Sequence, residues 1–469
     1  MKTSPDNIPA NALQTVVDTA ADKYLFDESG NKFWFLNDAG TWVGRNQRMF
    51  ESHLKAEGFN AIRGDENKLS ALDRQVLDIS KNHYVVYAGA VSGMKMGVAQ
   101  NNGYKILVTR EPDGIDPEPG EWPTIRKLID NMFLLDVDGK PGEDQRPYLF
   151  GWWQHALDCL KNYRVENGHV LVFAGEAACG KTLLKDLIRL SFGGREAQPY
   201  NFMIGRDSFN GEMIGAELWT VDDSQADTSA RARSEFGAKI KEMVAQSTYR
   251  FRGMMQAGVT LEIFRRLLIC VNREPDRLRV LPDLKNDMVD KVMLLLAQKH
   301  PMPMPVVTMP EKRAFWLQLR LELPHFMHWL LYDFKLPAEL NGRFGVKEFQ
   351  HPDLVRDIFS LSVESILDGQ IQRVLFPAGA DDQFPASIWR GSAGELHTLL
   401  TGGDVLSRAE QSRIKADNWL GRQLTELERT FPERFMKKRT GDGMRWLITK
   451  IGRTVAEFEN VGSAGNMQA

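Results

Sequence analysis

Cysteine is scarce. The chain has three in 469 residues, Cys159, Cys179 and Cys270, each in an apolar or glycine-loop context. No CxxC pair occurs, which excludes a zinc ribbon and argues against a disulfide framework. Excess charge is missing too. Lys and Arg total 59 and Asp and Glu total 62, a formal charge of −3. A protein that coats duplex DNA is normally more basic, so any nucleic-acid contact must be a local patch or channel. No apolar stretch approaches membrane-spanning length, and "MKTSPDNIPANALQ" has no apolar signal core. The expectation is a cytoplasmic, reducing setting and no membrane partner. The nine histidines show no metal-type spacing. His325 and His328 are the closest pair, and they read as partly buried helix residues. No internal repeat is visible.

What is present is ordinary globular composition, 43% hydrophobic and 26% charged. The length suggests two to four domains. Residues 1–20 are polar and read as loosely ordered. Residues 21–123 read as a small α+β module. In it, "KFWFLNDAGTWV" predicts a hairpin with Trp34 and Trp42 as cross-strand partners, and a helix follows, ended by Gly58. "EPDGIDPEPGEWP" reads as a linker. Residues 124–305 read as a core with preceding helices, in which short apolar strands alternate with helical segments from Val170 to about residue 300, the α/β signature. "HPMPMPVVTMP" holds four prolines in eleven residues and breaks that pattern. Residues 306–375 read as largely helical, and "PAGADDQFPAS" reads as a second linker. Residues 385–469 read as helix, helix and hairpin, turning at Gly441-Asp-Gly443.

The chemistry concentrates in "VLVFAGEAACGKTLLKDLIRL". It satisfies G-x-x-x-x-G-K-[ST] between an apolar strand and a helix. Glycines let the backbone curl so that its N–H groups face phosphate oxygens, and the helix dipole points at the same anion. Gly175, Glu176, Ala177, Ala178, Cys179, Gly180, Lys181, Thr182 and Leu183 form the expected nucleotide-binding loop. Lys181 is expected on the β- and γ-phosphates of ATP and Thr182 on Mg²⁺. "AELWTVDDSQAD" ends an apolar strand in two acids. Asp222 is the expected second metal ligand, and Asp223 is expected to orient the attacking water. "RLLICVN" ends in Asn272, whose amide can sense the γ-phosphate.

This ordered set resembles the superfamily 3 helicases, a branch of the AAA+ ATPases, and within them the helicase half of phage and plasmid primase-helicases. The likeness runs over roughly residues 145–375. It rests on "GEAACGKT", on "DSFNGEMIGAELWTVDD", on "FGAKIKEMVAQSTYRFRGMMQAG" with its lysines and hairpin, and on "LLICVN". It implies an AAA+-like core with a parallel sheet. It also implies a homo-oligomeric ring, hexameric by resemblance, acting on single-stranded or forked DNA. Primase or replication-origin partners are implied with it. Where the family carries an arginine pair after the sensor, this chain has Asp290-Lys291. The arginine finger is therefore expected at Arg277, Arg279 or Lys291. Lys239, Lys241, Arg250 and Arg252 are candidate phosphate contacts near a hairpin whose tip carries Met254 and Met255. The tail resembles a winged helix, with Arg434, Lys437, Lys438 and Arg439 as a basic cluster. Asp136 and Asp138 in "LLDVDGK" read as a polar loop, not a primase metal site.

The expected activity is ATP-dependent DNA unwinding or translocation in phage or mobile-element replication. Two other readings stay open. One is a P-loop ATPase that never unwinds, such as a switch or anti-phage effector. The other is a replication initiator whose DNA binding is regulated by ATP.

Overall fold

The computed structural model describes residues 23–63, 68–133, 144–222, 227, 229–254, 257–282, 284, 286–377, 387–441 and 443–456. The chain divides into two compact units, residues 1–355 and 356–469. The boundary falls inside the helical region 306–375 read from the sequence. Among the described residues no helix is long and apolar enough to cross a membrane.

The first unit opens with a four-stranded sheet, in the order Trp42–Arg45, Lys32–Leu36, Tyr24–Asp27, Tyr84–Val85. Phe33 and Phe35 alternate inward from it and meet Phe50 and Leu54 of the helix Gln47–Ala56. That helix starts because Asn46 accepts a hydrogen bond from the Met49 N–H. Gly58, at φ +98°, supplies the left-handed turn just beyond its end. The hairpin forms as expected, but its register corrects one detail. Trp34 pairs with Gly44, and Trp42 pairs with Leu36. A Cβ on Gly44 would lie 2.9 Å from the Trp34 ring, so the indole lies over the glycine. The two tryptophans are diagonal neighbours on one face rather than direct partners.

The core of the unit is a mixed α/β layer around a five-stranded parallel sheet. Its order is Val292–Ala297, Val170–Gly175, Arg266–Asn272, Leu218–Asp222, Glu196–Ala197. The strands Val170–Gly175 and Val292–Ala297 are buried throughout, as a sheet covered on both faces requires. Helices Pro123–Phe133, Arg146–Lys161, Lys181–Ser191 and Met309–His328 share one hydrophobic cluster with the sheet. The proline-rich segment ahead of Met309–His328 packs on that cluster through Met302, Met304 and Val306.

A two-stranded hairpin, Thr248–Phe251 with Val259–Glu262, stands beside this sheet. Asparagines close both of its outer edges, Asn210 on one and Asn101 with Asn102 on the other. Asn210 donates to the Arg250 carbonyl at 2.9 Å and accepts from the Arg252 N–H at 2.7 Å. Asn101 donates to the Glu262 carbonyl at 2.7 Å and accepts from the Glu262 N–H at 2.8 Å.

The second unit packs helices Val363–Leu375, Ala393–Gly402 and Asp417–Thr430 on a three-stranded antiparallel sheet. Its order is Ile388–Gly391, Gly443–Thr449, Phe435–Thr440. The predicted helix, helix and hairpin are all present. One residue of the expected basic cluster is turned inward. Arg434 precedes the strand Phe435–Thr440 and makes two hydrogen bonds to the Asp368 carboxylate, at 3.0 and 2.7 Å. Both side chains are about nine-tenths buried. Lys437, Lys438 and Arg439 stay exposed on the strand.

Removing one partner of a buried ion pair leaves an uncompensated charge. Asp368→Ala is expected to cut the protection of the Val363–Leu375 amides by about 3–5 kcal/mol, read by native-state hydrogen exchange on the full chain. Asp368→Met combined with Arg434→Met should recover most of that loss. An equal loss in the double variant would show that the pair is not what holds the helix.

Candidate functional site

The parallel register aligns the carboxyl ends of three strands. Asn272 sits opposite Gly175, and Gly175 sits opposite Ala297. Asp222 sits opposite Cys270 on the other side. In open parallel sheets the crevice beyond these ends is where ligands bind. Here it holds a cleft of about 760 Å³.

The loop Glu176–Gly180 forms one wall. Gly175 is required there because a Cβ would lie 2.0 Å from the Ala297 carbonyl oxygen. Gly180, at φ +100°, is left-handed and precedes the helix Lys181–Ser191. Ala178 is left-handed as well, at φ +61°, an uncommon state for a residue with a Cβ. No side chain caps this helix start. Its first N–H groups therefore face the cleft with the positive end of the dipole.

Lys181 is buried, and its amine is held by oxygens. Nζ donates to the carbonyls of Gly175 at 3.0 Å and Glu176 at 2.7 Å, and to Asn272 Oδ1 at 3.0 Å. The loop and the strand Arg266–Asn272 therefore meet on one ammonium group. Thr182 and Leu183 line the same cleft, with Asp186 one turn on. Asp222 also lines it and accepts from Lys185 Nζ at 3.3 Å. Lys185 lies 3.6 Å from Glu196 as well. Burial opposes its charge, yet Asp222 and Glu196 outweigh that, and the amine is raised above its ordinary value. Thr182 and Asp222 are hard oxygen donors on one cleft, a set that fits Mg²⁺. Asp223, like Asp136, Asp138 and Met255, lies outside the described residues.

The far wall was not legible as a site. Met302, Val306, Phe315 and Trp316 form it, with Lys312. Sequence reading takes "HPMPMPVVTMP" as a break between segments. Its signal is a faint one, apolar residues alternating with proline at 302, 304 and 306. Lys185 was missed too, although it sits one helical turn after Lys181 on the same face.

The remaining candidates lie elsewhere. Arg277, Arg279 and Lys291 do not line the cleft. Arg277 is exposed, and Arg279 is 3.8 Å from Asp276. Lys291 folds onto its own turn, 2.7 Å from Asp290. Near the hairpin, Lys239 pairs with Glu242 at 2.7 Å and Lys241 with Asp287 at 2.8 Å. Arg250 and Arg252 are exposed, and the Arg252 guanidinium lies 5.8 Å from the Phe209 ring. Met254 is 72% exposed at the tip. In the second unit Lys437 pairs with Glu428 at 2.9 Å.

No family model matches the chain, and no curated protein matches it in sequence. Solved structures do match. The A form apo structure of the NrS-1 C-terminal region aligns over 91% of this chain and 96% of that one, with a TM-score of 0.53 and 11% identity. A second apo structure of the same region aligns over 91% and 95%, with a TM-score of 0.53 and 14% identity. The active helicase SCCmec type IV Cch aligns over 86% and 71% at 11% identity, but with a TM-score of 0.27 it carries no argument. At 11% and 14% identity, what this chain shares with the NrS-1 C-terminal region is its fold.

Proposed function

We propose that the chain is an ATP-driven motor of the superfamily 3, AAA+ helicase type, acting on DNA in the replication of a phage or related mobile element. The observation that carries this reading is the meeting of Lys181 and Asn272 at 3.0 Å in a cleft that Asp222 also lines. A nucleoside triphosphate entering the cleft offers its phosphate oxygens to the Lys181 amine and to the uncapped N–H groups of Lys181–Ser191. Lys181 exchanges the loop carbonyls and Asn272 for phosphate, and that frees the Asn272 amide to meet the γ-phosphate. Thr182 and Asp222 hold Mg²⁺, which when bound neutralises charge on the phosphate oxygens. Asp223 orients the attacking water. Phe315 and Trp316 take the base by stacking.

The finger comes from the next copy in a ring. Arg277, Arg279 and Lys291 are its candidates, since none of them lines its own cleft. Lysine lacks the bidentate fork, so the two arginines fit the role better. The hairpin with Arg250 and Arg252 contacts single-stranded DNA, and Lys437, Lys438 and Arg439 on the winged-helix tail meet duplex backbone.

Strand displacement on a forked DNA tests the motor. Wild type is expected to unwind it in an ATP-dependent manner, and Lys181→Ala to lose at least about 100-fold in kcat. Hydrolysis without displacement would leave an ATPase switch. Sequence-specific duplex binding that collapses on deleting residues 385–469, with no unwinding, would leave an initiator.

The base wall has its own test. Trp316→Ala should raise KM for ATP by about tenfold through lost stacking, with kcat changed far less. An unchanged KM would place the base elsewhere.

A further inference from the structure

Away from the cleft, His155, Cys159 and Glu166 bring three metal-ligating atoms within 4.8 Å of one another. His155 and Cys159 are four residues apart on the helix Arg146–Lys161, so they share a face. Glu166 lies on the segment that leads from this helix into the strand Val170–Gly175. His155 Nε2 is 3.6 Å from the Glu166 carboxylate and 3.9 Å from Cys159 Sγ. Zinc bonds of about 2.0–2.3 Å in a tetrahedron set ligand atoms about 3.3–3.6 Å apart. The separations of 3.6 and 3.9 Å are near that spacing, and the third lies within 4.8 Å. Pairs of histidines do not reveal this group, because its helical pair is a histidine with a cysteine.

Arg266 supplies an independent observation. Its side chain is 1% exposed. Its Nη1 donates to the carbonyls of Glu166 at 2.8 Å and Arg265 at 2.9 Å. Its Nε and Nη2 are buried with no hydrogen-bond partner among the described residues. A buried cation with unmet donors asks for an anion. Cys159 is the side chain against it that can become one. Burial pushes the free Cys159 thiol up to about 11, so only a bound metal would make it the thiolate that accepts those donors. Arg164 is paired with both Asp158 and Glu166. Thiolate and Zn²⁺ together then add one positive charge. Glu166, 41% exposed, keeps that charge next to solvent.

We propose that His155, Cys159 and Glu166 bind Zn²⁺, with solvent in the fourth position, pinning the helix Arg146–Lys161 to the strand that feeds the candidate phosphate loop. The donor set of imidazole, thiolate and carboxylate suits zinc and not magnesium. This inference does not rest on the ATPase reading.

Co²⁺ titration of the untagged full chain is the test, with competition by Zn²⁺. Wild type is expected to take one equivalent, with a thiolate-to-cobalt charge-transfer band that Zn²⁺ abolishes. Cys159→Ser should lose the band. Glu166→Gln, at the exposed rim, should fold normally and weaken the metal at least about tenfold. Asp222→Asn should leave the titration unchanged, which separates this site from the cleft. Absence of the band in wild type would overturn the proposal, as would its survival in Cys159→Ser or unchanged affinity in Glu166→Gln.

Discussion

The register between the strands ending in Gly175 and Asn272 fixes how the loop and the Asn272 side chain meet at the cleft. Those two residues lie opposite one another in a parallel pair. A slip of one residue would turn Asn272 to the other face of the sheet. The amine of Lys181 would then lose its side-chain partner and keep only loop carbonyls. The register is held by the apolar cost of moving it. Leu267, Leu268, Ile269 and Val271 are all fully buried. Side chains on both faces of the strand therefore vote for one alignment, and the polar residue at its end is carried to the cleft by packing it takes no part in.

Charge at the cleft is arranged in two layers. Lys181 is saturated with neutral oxygens, while Lys185 behind it is paired with carboxylates. The difference matters for what each can give up. Carbonyl and amide oxygens hold an ammonium weakly enough that a polyanion can displace them. Two carboxylates on a 7% exposed amine do not release it so readily. Of the two cations Lys181 is the more loosely held, and Lys185 is the one fixed on Asp222.

Much of this was legible in the sequence. The loop could be read because steric need makes its residues unusual. Gly175 admits no Cβ and Gly180 sits at positive φ. The parallel strands could be read because burial on both faces leaves unbroken apolar runs. The far wall could not, since Met302, Val306, Phe315 and Trp316 acquire meaning only once the chain folds back over the loop. Local pattern carries no record of that approach. Arg434 misled for a related reason. A basic residue in a basic run reads as surface, and its true partner, Asp368, lies 66 residues earlier. The Trp34 pairing failed on a two-residue offset that only the hairpin's loop length decides.

The hairpin shows how such a fold constrains motion. A free two-stranded ribbon is marginal in water and exposes both edges. Here Asn210 and Asn101 occupy those edges, each with donor and acceptor engaged. Asn210 also donates its own N–H to the Arg252 carbonyl at 3.0 Å. At about 1 kcal/mol net for each bond, flexing the ribbon alone costs about 4–5 kcal/mol. Moving it together with the end of the strand Gly97–Asn101 and the segment that carries Asn210 costs none of these bonds. Asn210 stands eight residues before Leu218, the first residue of the strand that ends in Asp222. The covalent path from Asp222 to the asparagine that holds the backbone of Arg250 and Arg252 is therefore short.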